Sequence, residues 1–332
     1  MSESFRALVV DQSDATFSLE LKELTLDDLP PGDVMVRVAW SAVNYKDGLA
    51  GTPDGRIVES YPMIPGIDLA GTIIHSEDSR FKEGDEVIVA SAQLGVSHCG
   101  GFSEMARVPG DWVIPLPKGL SLKESMILGT AGFTAAMSIQ RMEENGLTPE
   151  KGPVIVTGAT GGVGSTAVTM LAKRGYTVAC GTGKDTAHDY LRRLGADEIL
   201  SRETLSNPKK RPLLKMRWAG AVDPVGGETL SYLLSTMKWG GSVALSGLAG
   251  GPAFSSTVFP FILRGINLLG IDSAHVSHTY RQKVWNRLAT DLKPEGVLDQ
   301  IVMEEVTLEE LPDALSTILK GGIRGRQLVR LA

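Results

Sequence analysis

Cysteine is nearly absent, with only Cys99 and Cys180 among 332 residues, so a disulfide framework is excluded. Histidine is scarce too. The five histidines, His75, His98, His188, His275 and His278, fall on no Cys-x-x-Cys or His-x-x-x-His spacing, and a zinc site of the usual ligands is not expected. Cys99 follows His98 directly, but neighbours on a strand face opposite sides. No apolar run reaches the roughly 20 residues that a membrane-spanning helix needs. The stretch from Ala7 to Val10 stops at Asp11, too early for the apolar core of a signal peptide. Excess positive charge is missing as well. Lys and Arg number 33 against 39 Asp and Glu, a formal charge of −6, the wrong sign for a general nucleic-acid binder. The densest basic run, Lys209-Lys210-Arg211 between Pro208 and Pro212, reads as a solvated loop. These absences point to a cytoplasmic protein with no metal, membrane or nucleic-acid partner.

What is present divides into two textures. A chain of this length predicts about two domains of roughly 100–200 residues. The first third sets short β-type runs between Pro and Gly: Ala7 to Val10, Val34 to Trp40, Leu69 to Ile74, Val87 to Ala90 and Phe102 to Val108. Ser121 followed by Glu124 is a capping-box pattern that starts a helix leading towards Gly129, with a second helical stretch from Thr134 to Glu144. From Pro153 onward strand-like and helical runs alternate. The strands are expected at Val154 to Thr157, Tyr176 to Cys180, Glu198 to Leu200, Ala219 to Asp223, Ser242 to Leu245 and Ile266 to Ile271, which predicts an α/β fold with a doubly wound parallel sheet. A helix from Leu308 to Lys320 and a last strand from Gln327 to Leu331, returning to the first domain, complete the chain.

The strongest motif runs from Val154 through Gly158, Gly161, Gly162 and Gly164 to Ser165, a β run entering a glycine-rich turn and then a helix. Glycines let the backbone turn sharply and approach a pyrophosphate, which meets N–H groups at the positive end of the helix. Thr160, Gly161, Gly162 and Val163 form the expected cradle. About twenty residues on, an NAD-preferring site carries Asp or Glu to hold the ribose hydroxyls. This chain reads Cys180-Gly181-Thr182-Gly183-Lys184 instead. Thr182, the backbone of Gly183 and the cation of Lys184 suit a 2′-phosphate, so NADPH is the expected coenzyme. Arg202 is either a second cation for that phosphate or a surface arginine.

The chain resembles the medium-chain dehydrogenase/reductase superfamily, in the zinc-free quinone oxidoreductase branch that contains bacterial acrylyl-CoA reductase. The resemblance rests on Asn44-Tyr45-Lys46-Asp47-Gly48-Leu49, Pro65-Gly66-Ile67-Asp68-Leu69-Ala70-Gly71, the Gly158 to Ser165 loop, Gly247-Leu248-Ala249-Gly250-Gly251, Pro260 to Arg264 and Gly325-Arg326. Zinc-dependent relatives place a cysteine ligand where Asn44 stands and a histidine ligand where Asp68 stands, and they carry a four-cysteine lobe that this chain lacks. The resemblance implies a GroES-like β-barrel catalytic domain over 1–125 and 273–332, a Rossmann NADPH-binding domain over 126–272, and an active site in the cleft between them. It places coenzyme contacts on Tyr45, Thr160 to Val163, Thr182 to Lys184, Arg202, Leu248, Ile262, Ser273 and Arg326, although Arg326 has the second reading of orienting the terminus. Asp313 stands where relatives carry an amide that touches coenzyme.

The implied reaction delivers hydride from NADPH to the β-carbon of an alkene conjugated to a carbonyl, and the resulting enolate oxygen needs hydrogen-bond donors. Asn44 and Tyr45 are the candidate donors, and Tyr45 is the first candidate for protonating the α-carbon, its other reading being a stacking or packing aromatic. Asp47 either joins this chemistry or orients the turn. Asp68 is either a buried strut or a wall of the site. The expected substrate is a small enoyl thioester such as acrylyl-CoA, with quinone reduction as the alternative. A non-catalytic NADPH-binding redox sensor is the reading from another class. The run from Ile266 to Ile271 lies at a sheet edge, which in this superfamily pairs across a two-fold axis, so a homodimer is expected.

Overall fold

A computed structural model describes the chain except for residues 1–3, 14–15, 207–210 and 295. Lys209 and Lys210 of the basic run therefore lie outside the described residues. The chain divides into two compact units. Unit 1 comprises Met1–Thr130, Ser273–Ala289 and Val302–Ala332, and unit 2 comprises Ala131–Asp272 and Thr290–Ile301.

Unit 1 begins with seven strands: β1 (Ser4–Gln12), β2 (Phe17–Thr25), β3 (Val34–Ala42), β4 (Asp68–Ser76), β5 (Glu86–Ala90), β6 (Met105–Val108) and β7 (Ile114–Pro115). The β1 and β2 strands form an antiparallel ribbon. Helix α1 (Tyr45–Ala50) follows β3, and helix α2 (Leu122–Glu144) leaves the unit with a break at Gly129, where φ is 50° and ψ is −154°. The expected capping box starts α2: Ser121 N–H donates to Glu124 Oε2 at 2.9 Å, and Glu124 N–H donates to Ser121 Oγ at 3.1 Å.

Unit 2 carries β8 (Val154–Val156), β9 (Val178–Thr182), β10 (Glu198–Ser201), β11 (Trp218–Asp223), β12 (Met237–Leu245) and β13 (Asn267–Gly270), connected through α3 (Gly162–Lys173), α4 (His188–Arg193), α5 (Gly227–Thr236) and α6 (Phe259–Arg264). All five pairings are parallel, in the order β10-β9-β8-β11-β12-β13. This is the doubly wound arrangement, whose strand order reverses between β8 and β11. Trp218, Leu230, Leu233, Met237 and Val243, with Ile155, form its core on the α5 side.

After α7 (His278–Leu288) in unit 1 and α8 (Leu298–Ile301) in unit 2, the chain returns to unit 1 as β14 (Val302–Val306), α9 (Leu311–Leu319) and β15 (Arg326–Arg330). The last strand pairs antiparallel with β3 and completes a sheet ordered β14-β15-β3-β4-β5-β7, with β6 also on β3. Phe5, Leu8, Phe102, Leu311, Leu315 and Val329 meet in the core beneath it.

The unit boundaries differ from the expected ones at two places. Residues 126–130 stay with unit 1 because Asp68 of β4 takes the Thr130 N–H at the break in α2. Thr290–Ile301 goes with unit 2, where Lys173 Nζ donates to the carbonyls of Thr290 at 3.1 Å and Lys293 at 2.6 Å.

Candidate active site

In unit 2 the β8 strand ends in Thr157, and the chain then turns through Gly158 at φ 52° into α3. A Cβ on Gly164 would lie 2.3 Å from the Gly158 carbonyl oxygen, so the helix approaches the turn this closely only with glycine there. Thr157 Oγ1 donates to Asp223 Oδ1 at 2.5 Å, joining the carboxyl ends of β8 and β11 where the strand order reverses. The Val225 and Gly226 amides also donate to the Asp223 carboxylate. Burial raises the Asp223 carboxyl above the ordinary range, against these hydrogen bonds.

A cavity of about 420 Å³ opens at this point, lined by Thr157, Gly158, Thr160, Gly181 to Lys184, Arg202, Val225, Glu228 and Gly250, among others. Sheet register explains how distant residues meet there. Thr182 pairs opposite Ser201, so the turn carrying Lys184 and the residue after β10, Arg202, leave the sheet side by side. Thr182 Oγ1 accepts the Lys184 N–H at 3.0 Å, and a Cβ on Gly183 would touch Arg202 Nη2 at 3.2 Å. A glycine turn at a helix N-terminus, two cations and a hydroxyl form a donor set suited to a phosphorylated dinucleotide.

In unit 1 a second group of polar side chains is buried. Asp47, on α1, accepts the Asn44 N–H at 2.8 Å and the Ile67 N–H at 2.9 Å, fixing the turn after β3 against the segment entering β4. Burial pushes its carboxyl up to about 7, with the Asn44 amide opposing the rise and the charge of Asp68 adding to it. Asp68 is fully buried. It accepts Thr130 Oγ1 at 2.7 Å, Thr130 N–H at 2.8 Å and Asn44 Nδ2 at 2.7 Å, and Arg326 Nη2 lies 3.5 Å away. Burial raises its carboxyl, opposed first by Arg326. Arg326 also donates to Ile127 O, Val43 O and, at 3.0 Å, Asn44 Oδ1. Ser91 Oγ lies 3.0 Å from Thr130 Oγ1 and 3.3 Å from Ser273 Oγ. Ser91 and Ala92 hold φ values of 61° and 52°, a conformation that costs on the order of 1–3 kcal/mol per residue outside glycine.

The structure brings together five of the expected coenzyme residues, Thr160, Thr182, Gly183, Lys184 and Arg202, on one cavity wall. Gly161, Gly162 and Val163 lead from Thr160 into α3. Leu248 and Ile262 are exposed in unit 2, and Tyr45 is 56% exposed in unit 1, where Ser273 also lies. Three of the expected site residues are buried among interior partners. Arg326 is 3% exposed and donates through Nε and Nη1 to Ile127 O, Val43 O and Asn44 Oδ1, which supports its reading as a brace of the Asn44 turn, while its Nη2 has no hydrogen-bond partner. Asn44 cannot serve as an oxyanion donor in this geometry, because Nδ2 donates to Asp68 and, at 3.2 Å, to Ala42 O. Asp47 is buried with both oxygens accepting backbone amides, which supports the second of its two readings, that of orienting the turn. The sequence reading missed Asp223 and Glu228. The signal was there: Asp223-Pro224-Val225-Gly226-Gly227 is a second glycine-rich exit from a β run, and both glycines have positive φ.

Residues 30–118 match the alcohol dehydrogenase GroES-like domain and residues 162–290 the zinc-binding dehydrogenase domain. The zinc implied by the second description does not fit this donor set. Among the described residues no three of His, Cys, Asp and Glu are grouped to hold a metal, and Asn44 and Asp68 are bound to each other. YhfP of Bacillus subtilis, provisionally named a quinone oxidoreductase, is 55% identical over 100% of both chains. Its structure, solved with NAD bound, superposes with a TM-score of 0.97 over 99% of this chain and 100% of that one. The acrylyl-CoA reductase AcuI of Ruegeria pomeroyi is 47% identical over 98% of both chains. The YhdH oxidoreductase of Salmonella enterica, solved with NADP, is 47% identical with a TM-score of 0.95 over 98% of this chain and 99% of that one. Two matched domains, full-length identity and the parallel sheet agree: this chain belongs to the medium-chain dehydrogenase/reductase superfamily, in the branch that holds the acrylyl-CoA reductases and quinone oxidoreductases.

Proposed function

We propose that the protein is a zinc-independent, NADPH-dependent reductase of carbon–carbon double bonds conjugated to a carbonyl, acting on a small enoyl thioester such as acrylyl-CoA. The observation that carries the reading is the meeting of Lys184 and Arg202 on a cavity wall at the strand-order reversal, with Thr182 and no acid at the tip of β9. Bound NADPH supplies a hydride from C4 of its nicotinamide. The chain's residues then have separable tasks. Lys184, Arg202 and Thr182 bind the 2′-phosphate, and the amides from Thr160 to Val163 receive the pyrophosphate at the start of α3. Asp223 holds Thr157, which lines the cavity, and the Gly226 turn. Leu248, Ile262 and Ser273 remain the proposed further coenzyme contacts. Tyr45 is the proposed proton donor to the α-carbon, and it is exposed at the start of α1, next to the buried Asn44.

Quinone reduction is the second reading, favoured by the name of YhfP. Rates with NADPH and either acryloyl-CoA or p-benzoquinone, measured side by side, distinguish the two. We expect kcat/KM at least about tenfold higher for acryloyl-CoA; the reverse ratio makes quinone the substrate class. Tight NADPH binding with neither acceptor turned over would leave the redox sensor. Tyr45→Phe should slow single-turnover NADPH oxidation with acryloyl-CoA about 100-fold; an unchanged rate would remove Tyr45 as donor.

We also propose a cytoplasmic homodimer. Both cysteines are free, and no helix among the described residues is long and apolar enough to cross a membrane. The β13 strand ends the unit 2 sheet, an edge that pairing can cover, and Val258, Phe259, Ile262 and Leu263 in the segment preceding it are exposed apolar residues. Light scattering at micromolar concentration should read twice 35.4 kDa.

A further inference from the structure

The polar cluster of unit 1 is more elaborate than a core strut requires. Three segments far apart in the chain converge on Asp68 of β4: the turn after β3 through Asn44, the broken helix α2 through Thr130, and β15 through Arg326. The fit is close. A Cβ on Gly129 would lie 2.6 Å from Asp68 Oδ2 and 2.9 Å from Arg326 Nη2.

We propose that Asp68, with Arg326 and Thr130, is a positioning residue for the reduction and acts through Asn44 on Tyr45. The amide of Asn44 is held at both ends by groups of opposite character. Its Nδ2 donates to the Asp68 carboxylate, which only accepts, and its Oδ1 accepts from the Arg326 guanidinium, which only donates. The amide therefore has one orientation. The Asn44 N–H is fixed in turn by Asp47 Oδ2. With side chain and amide nitrogen both anchored, the backbone direction entering Tyr45 is set, and with it the place from which the phenol projects. The same carboxylate is joined through Thr130 Oγ1 and Ser91 Oγ to Ser273 Oγ, a proposed coenzyme contact, so the network spans from that hydroxyl to the Tyr45 turn. Reacting groups displaced by about 1 Å lose on the order of 100-fold in rate. An arrangement that fixes Tyr45 therefore acts on kcat without touching substrate.

The inference rests on the proposed reduction, and its test separates the two. The double variant Asp68→Asn with Arg326→Met removes both charges and keeps the interior neutral. Thr130→Val removes only the hydroxyl donor and serves if the double variant does not fold. For each we would measure kcat and KM with acryloyl-CoA, the NADPH Kd, and hydrogen exchange at the Asn44 side-chain amide by NMR. We expect kcat to fall about 10- to 100-fold in the double variant and a few-fold in Thr130→Val, with the NADPH Kd within about twofold of the starting protein and faster Asn44 exchange. A purely structural pair would leave kcat per folded molecule unchanged, and that result overturns the proposal. If the unaltered protein reduces neither acryloyl-CoA nor a quinone, the reduction fails. The Asn44 exchange then decides alone: faster exchange in the variants supports the fixing of Asn44 by Asp68, and unchanged exchange overturns it.

Discussion

Arg326→Met is expected to destabilise the fold by about 3–5 kcal/mol, because it leaves the Asp68 carboxylate buried without its cation. Asp68 is fully buried and Arg326 is 3% exposed, so solvent does little to soften the loss. Adding Asp68→Asn should return most of that stability, since replacing both members of a buried pair by neutral groups is often close to neutral overall. Urea denaturation of the two single variants and the double gives the coupling directly, and two single losses that simply add would refute it. The pH dependence carries a sign. A carboxyl whose folded pKa is raised contributes stability that is full below its unfolded pKa and disappears as pH rises through the folded one. Asp47, raised from 3.8 to about 7, therefore makes the unaltered protein lose stability between those values. In Arg326→Met the Asp68 carboxyl loses the cation that opposes its rise, so the variant should lose more stability over the rising limb. Equal slopes in the two proteins would count against the pairing.

The second large effect concerns coenzyme choice. Lys184→Ala together with Arg202→Ala should weaken NADPH by about 30- to 150-fold while leaving NADH nearly unchanged. Two charge-assisted contacts to a phosphate would contribute about 2–3 kcal/mol after allowance for solvent at a partly exposed site. Thr182 stays in place and keeps the Lys184 amide, so the turn itself is not expected to move. Titration calorimetry with both coenzymes reads the ratio. A loss shared equally by NADPH and NADH would place the two cations on the pyrophosphate or on no phosphate at all.

How much of this was legible in the sequence depended on the range of the interaction. The glycine turn from Gly158 to Gly164 and the Thr182-Gly183-Lys184 exit are local, and both occur where a β run gives way to its connection. Arg202 joined them through strand register, since its neighbour Ser201 pairs with Thr182. The β2 strand was missed because Phe17–Thr25 alternates Glu and Lys with Leu on an exposed ribbon and lacks the apolar run that marks a buried strand. The fate of Asn44 was hidden for a different reason. Whether an amide faces substrate or the interior depends on partners 24 and 282 residues away, Asp68 and Arg326, and no local pattern encodes them. Arg326 kept two readings on the same grounds: a Gly-Arg pair near the last strand can touch coenzyme or orient the terminus, and the buried carboxylate beside it is far away in the chain.

The break at Gly129 makes three positions inseparable for protein engineering. Its φ is 50°, and a methyl group there would strike both Asp68 and Arg326. Saturation libraries that randomise 129, 68 or 326 one at a time should therefore return almost nothing but the parental residue, and strong epistasis will hide any workable alternative. Covarying all three is the way to search for a neutral interior here.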